Sequence, residues 1–260
     1  MRLAAFVYQQ QPQVGLVSDD LQSVTLLDLP MAERVLGALP IVERLSAGAG
    51  LPALLQTVAL KDVHLTAPLP RPRRNIFCVG KNYYAHAKEF ASSGFDSSAK
   101  AGGDVPSVPI IFSKVPESVI ATGDTIEIPH AVSTAIDYEA ELGVIIGRGG
   151  KGIRKADAMG HVWGYTIIND VTSRDWQNRH LQWHMGKSFD TFCPMGPWLV
   201  SADTCDGTNT QVRCYVNGEE RQNASTTDLI FDIPTLIETL SAGITLYPCL
   251  LYTSPSPRDA

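Results

Sequence analysis

Two glutamates set within an otherwise apolar strand pattern place the tightest constraint on how this chain can fold. In Asp137-Tyr138-Glu139-Ala140-Glu141-Leu142-Gly143-Val144-Ile145-Ile146, strand alternation sends Tyr138, Ala140, Leu142, Val144 and Ile146 to one face. Glu139, Glu141 and Gly143 point to the other. Carboxylates two residues apart on one strand face sit roughly 7 Å apart at the backbone, and they repel unless something positive lies between them. A second apolar run, Val162-Trp163-Gly164-Tyr165-Thr166-Ile167-Ile168, ends at Asn169-Asp170 and delivers a third carboxylate at its strand end. Three acidic oxygens with no His or Cys among them suit a hard cation such as Mg²⁺ or Mn²⁺ better than zinc. The Glu-x-Glu spacing equally fits an exposed, salt-bridged strand face, so spacing alone leaves both readings open.

The neighbouring residues add an ordered series. Val79-Gly80-Lys81-Asn82-Tyr83 precedes the Glu139 strand, which is followed by Asn169-Asp170-Val171-Thr172-Ser173-Arg174-Asp175-x-Gln177 and then by Gly186-Lys187-Ser188-Phe189-Asp190. Taken together, these motifs resemble the fumarylacetoacetate hydrolase family over roughly residues 75 to 248. The resemblance implies an α+β fold, a large rolled mixed β-sheet around a metal site with few helices and a small N-terminal domain. Members are commonly homodimers. By resemblance, Glu139, Glu141 and Asp170 are the metal ligands, and Lys187 is a cationic partner for a substrate carboxylate or developing oxyanion. Arg174 and Gln177, at i and i+3 on a helix, then orient the substrate.

His86 and Glu89 also stand at i and i+3, in a segment of helix-forming composition after Gly80. A carboxylate beside an imidazole fixes its tautomer and raises its basicity, as a water-activating base requires. The spacing also fits a surface pair, whereas the resemblance makes it the water-activating dyad. The implied substrate is a short 2-oxo or enolised 2,4-dioxo acid. Hydrolytic C–C cleavage of an acylpyruvate such as fumarylpyruvate, with an enolate leaving group stabilised by the cation, is the first expectation. Hydration, double-bond isomerisation and oxaloacetate decarboxylation are alternatives on the same site. A non-catalytic protein with a structural cation is the alternative of another class.

Composition narrows the rest. The chain has 260 residues, long enough for one large domain and a small appendage. A net charge of −6 gives no basic field for nucleic acid. No apolar run approaches a membrane span, and Met1 to Tyr8 is too short for a secretory signal. Five cysteines, odd in number and without C-x-x-C spacing, read as reduced thiols in a cytoplasmic protein.

Residues 1–70 are expected to form a small unit: strands at Leu3–Tyr8 and Val14–Val17, then helices over Glu33–Leu45 and Leu51–Val58. Pro68 to Arg74 is a stiff connector into a catalytic domain spanning 71–248, which opens with a strand at Ile76–Val79. A loop covers 91–106, beside the site and long enough to be a lid. Further strands are expected at Ile110–Lys114 and in hairpins turned at Gly123-Asp124 and Asn217-Gly218. Thr172 is a candidate helix cap. His180 and His184 have zinc-like i, i+4 spacing without the Glu of H-E-x-x-H. Asp232 caps a last helix. From Cys249 the sequence leaves the family pattern and carries two Ser-Pro steps. Residues 249–260 are therefore expected to be a non-native tail that packs poorly and leaves a sheet edge unpaired, with weak or absent activity.

Overall fold

A computed structural model describes residues 1–83 and 105–252. The helix expected after Gly80 and most of the expected 91–106 loop lie outside the described residues. Strands β1 (Arg2–Tyr8) and β2 (Gln11–Val17) form the expected hairpin, turned at Gln9 and Gln10, which adopt φ of 49° and 61°. β3 (Ser23–Leu27) extends it. The helix expected over Glu33–Leu45 splits into α1 (Met31–Arg34) and α2 (Leu39–Ser46). Gly37 takes φ of 66° between them, and the Ala38 N–H turns to the Pro68 carbonyl at 2.8 Å.

Leu51–Val58 is not a helix: β4 (Leu54–Ala59) pairs with β3. Thr57 and Val58 are β-branched and favour the strand. β5 (His64–Thr66) pairs with β1, and β6 (Ile76–Gly80) and β7 (Ile110–Lys114) pair along their whole length. The hairpin expected at Gly123-Asp124 does not form either. β8 (Val119–Ala121) ends in a turn that Asp124 closes on Ala121, its carboxylate accepting the Ala121 N–H at 2.8 Å.

Next come β9 (Ile136–Asp137), β10 (Ala140–Ile146), β11 (Val162–Asn169) and β12 (Thr172–Ser173). Helices α3 (Arg174–Arg179) and α4 (His184–Lys187) precede β13 (Cys193–Ser201). β14 (Gln211–Val216) and β15 (Glu219–Ser225) form the expected second hairpin, with Asn217 and Gly218 at φ of 54° and 84°, the two positive values a type I′ turn requires. The Asp232 carboxylate accepts the Thr235 N–H at 2.9 Å and caps α5 (Ile233–Ser241) as expected.

Twelve of the described strands form one sheet in the order β4–β3–β2–β1–β13–β11–β10, then β16–β6–β7, where β16 is Cys249–Tyr252; β5 adds to β1 and β8 to β13. All pairs are antiparallel except β8–β13 and β16–β6. The fold is thus α+β with a large, mostly antiparallel sheet. The first 70 residues join it through β1–β13, and their Leu3, Val14, Leu27 and Ile41 share one buried cluster with Ile76, Ile145 and Met195.

β16 bears on the sheet edge that was expected to be unpaired. Cys249–Tyr252 pairs antiparallel with β10 and parallel with β6, so the edge expected to be bare is covered. The strand uses the apolar Leu250-Leu251-Tyr252 run and ends before the first Ser-Pro step. Among the described residues, no helix is long and apolar enough to cross a membrane.

Candidate metal centre

All seven residues of β10 are buried, so neither face of this strand is the exposed, salt-bridged surface that Glu-x-Glu also permitted. Ala140, Leu142, Val144 and Ile146 pack with Ile237 and Leu240 of α5, while Ile145 enters the other main cluster. Glu139 and Glu141 alternate to the Ile145 side, and each is 1% exposed. β11 runs antiparallel to β10, and the Asp170 N–H just past its end donates to the Glu139 carbonyl at 2.8 Å. This pairing delivers the third carboxylate. Glu139, Glu141 and Asp170 present oxygens that all lie within 4.8 Å of one another.

Three cations hold this cluster in place. Lys187, buried at the end of α4, donates from Nζ to Glu139 Oε2 and, at 2.7 Å, to Asp170 Oδ2. Burial works against its charge, but the Asp170 and Glu139 carboxylates outweigh that and raise its pKa. The two carboxylates thus favour its ammonium form. Arg174 donates from Nε to Asp137 Oδ2 at 2.7 Å, from Nη2 to Glu139 Oε1 and, at 2.9 Å, from Nη1 to Gln177 Oε1. Burial opposes its charge too, and Glu139 and Asp137 again raise the pKa. Lys114, which the sequence reading missed, donates to Asp170 Oδ1 at 2.6 Å.

Glu141 stands apart. It is buried, yet neither of its carboxylate oxygens has a hydrogen-bond partner. Burial, then the Asp170 and Glu139 charges, hold its carboxyl well above the ordinary range, with Lys187 and Lys114 pulling the other way. An orphaned carboxylate beside two others, in an all-oxygen donor set, fits a hard divalent cation. The chain thus has the residues to hold one.

Other residues named in the motifs brace the centre. Thr172 is not a helix cap: its hydroxyl donates to the Asp170 carbonyl at 2.9 Å and to Glu139 Oε2 at 3.3 Å, and α3 begins after Ser173. Asn82 clamps the loop before α5, accepting the Phe231 N–H at 2.7 Å and donating to the Phe231 carbonyl at 2.9 Å. Buried Gln222, unmarked by any motif, accepts the Ala140 N–H at 2.8 Å and fixes the chain between the two glutamates. Nearby Cys193 is buried, which pushes its thiol up to about 12 and keeps it protonated. His180 caps the C-terminus of α3 whereas His184 opens α4, with Leu181 at φ of 58° between them, and His184 Nδ1 lies 2.9 Å from the Ser113 carbonyl. His86 and Glu89 lie outside the described residues.

Comparison with known proteins bears on the family and the fold. A family model described as "Fumarylacetoacetate (FAA) hydrolase C-terminal" matches residues 75–251, which includes most of β16. The chain is 48% identical over 189 residues to the oxaloacetate tautomerase YisK of Bacillus subtilis, an alignment covering 72% of this chain and 60% of that protein. It therefore spans about three fifths of that relative's length. Among solved structures, a fumarylacetoacetate hydrolase from Exiguobacterium antarcticum superposes with a TM-score of 0.79 at 34% identity, over 99% of this chain and 87% of that one. A 5-carboxymethyl-2-hydroxymuconate delta-isomerase from Mycobacterium smegmatis gives a TM-score of 0.78 at 30% identity, over 98% and 88%.

Proposed function

The chain belongs to the fumarylacetoacetate hydrolase family, and from that premise we propose that it is an Mg²⁺- or Mn²⁺-dependent enzyme that interconverts the keto and enol forms of a short 2-oxo dicarboxylic acid, with oxaloacetate as the model substrate. The observation that carries this reading is the placement of Lys187, a buried ammonium bridging Glu139 and Asp170 beside the orphaned Glu141 carboxylate. When bound, a divalent cation supplies Lewis-acid polarisation of the 2-oxo group.

The chain's own residues set the charge. Asp137, Glu139, Glu141 and Asp170 face Lys114, Arg174 and Lys187. Adding a divalent cation makes the site net positive, which favours an anionic substrate. The carbon proton passes to His86 of the His86-x-x-Glu89 pair, Lys187 Nζ donates toward the oxygen that gains charge, and Arg174 with Gln177 orients a carboxylate. The relative named an oxaloacetate tautomerase supports proton transfer as the reaction. Hydrolytic cleavage of an acylpyruvate is the second reading, favoured by the solved fumarylacetoacetate hydrolase and by the His86-x-x-Glu89 pair.

The test follows ultraviolet decay of enol-oxaloacetate, alongside acetylpyruvate and fumarylpyruvate cleavage, with Mg²⁺, Mn²⁺ or a chelator. Metal-dependent acceleration of enol decay without pyruvate release from the acylpyruvates is expected. Cleavage with no effect on the enol would move the assignment to the hydrolase reading. Chelator-insensitive rates equal to buffer for every substrate would refute both.

A further inference from the structure

Lys114 is fully buried at the end of β7, and every proton on its ammonium group is accounted for. An ammonium has three N–H donors. Its Nζ donates to Asp170 Oδ1 at 2.6 Å, to the Val171 carbonyl at 3.1 Å and to the Lys187 carbonyl. It has nothing left to offer a substrate. Lys187 differs, because its two hydrogen bonds go to the acidic side chains Glu139 and Asp170, and its Nζ lies 5.0 Å from the centroid of the Phe112 ring. Phe112 and Lys114 share one face of β7, so this strand both backs Lys187 and pins Asp170.

The two lysines therefore divide the work on Asp170, one per carboxylate oxygen. A cation among Glu139, Glu141 and Asp170 would take over the charge compensation that Lys187 provides and leave Lys187 able to turn toward a substrate oxygen. Lys114 is also anchored to two backbone carbonyls, and one of them is the carbonyl of Lys187 itself. We propose that Lys114 is a positioning residue of the metal centre, anchored so that it fixes the Asp170 carboxylate as a ligand and holds the backbone carrying Lys187, which leaves Lys187 for substrate. This rests on the metal reading above.

The proposal opposes simple electrostatics in sign. Deleting a positive charge beside a cation site should strengthen cation binding by Coulomb's law alone. Loss of the group that orients a ligating carboxylate should weaken it by about 10–100-fold. Mn²⁺ titration by calorimetry on wild type and Lys114→Met decides between them, without reference to turnover. No Mn²⁺ binding by wild type would overturn the metal reading itself. Binding by wild type with equal or tighter binding by folded Lys114→Met would overturn only the role given to Lys114. Removing one member of a buried ion pair can unfold a protein, so Asp170→Asn and Lys114→Met/Asp170→Asn complete a double-mutant cycle in which both charges are gone together. If Lys114 acts through Asp170, the second substitution adds nothing to the loss from the first. A further tenfold loss in the double variant would overturn the proposal.

Discussion

Glu141→Gln separates the cost of an orphaned carboxylate from its use as a metal ligand. In metal-free protein the Glu141 side chain is buried beside Asp170 and Glu139 with no hydrogen-bond partner, and its carboxyl is held well above the ordinary value of 4.5. A carboxyl raised on folding contributes stability below its unfolded pKa, and that contribution is lost as pH rises through the folded pKa. Glutamine does not titrate. In chelator, therefore, Glu141→Gln should gain on wild type as pH rises above 4.5.

Divalent metal reverses the ranking. A ligand at a hundred times its dissociation constant stabilises the native state by about 2.7 kcal/mol. With midpoint shifts of about 2–4 °C per kcal/mol for a chain of this size, wild type should melt about 5–11 °C higher with saturating Mn²⁺, and the variant should barely move. Calorimetric melts at several pH values, with chelator or Mn²⁺, read both effects. The reasoning is refuted by an Mn²⁺ shift of wild-type size in Glu141→Gln. It is equally refuted if the variant loses ground to wild type with rising pH in chelator.

A Cβ added at Gly80 would lie 2.1 Å from the Trp183 ring, which packs edge-on against Phe112 with centroids 5.3 Å apart. Gly80→Ala should therefore cost about 1–3 kcal/mol in urea unfolding, as overpacking does, and an unchanged midpoint would show that the ring yields freely. His86→Ala should lower acylpyruvate cleavage by about 10²–10⁴-fold if His86 is a general base and leave Mn²⁺ affinity intact. Lost Mn²⁺ binding in that variant would give His86 a different role.

The parts of the fold that were legible in the sequence are those with local causes. Asn217-Gly218 fixes its hairpin through two positive φ values, Asp232 caps α5 by accepting from Thr235, and β10 shows its two faces through alternation. The misread strands turn on partners distant in sequence. Leu54–Ala59 is a strand because β3 lies beside it, and Cys249–Tyr252 is a strand because β10 and β6 leave a slot between them. Gly123-Asp124 is a real turn, but β8 runs beside β13 instead of doubling back. A turn signal specifies a change of direction, not the strand that receives the chain.

The site divides along the same line. Glu139, Glu141, Asp170, Arg174, Gln177 and Lys187 stand in short motifs and meet in the structure. Lys114 stands 56 positions from Asp170, at the end of Ile110-Ile111-Phe112-Ser113-Lys114, where a terminal lysine resembles a solvated strand end. Charge balance nonetheless leaves a trace of it. Three buried carboxylates need about as many cations to remain buried, and the motifs supply Arg174 and Lys187, which are seen paired with them, together with the buried Lys81. Arg174 is also shared with Asp137. A further cation can also come from a buried face elsewhere in the sheet, and a lysine in phase with Ile110 and Phe112 on an apolar strand fits. Looking for an in-phase lysine on an apolar strand would have put Lys114 alongside Lys81 as a candidate counter-ion before any coordinate was known.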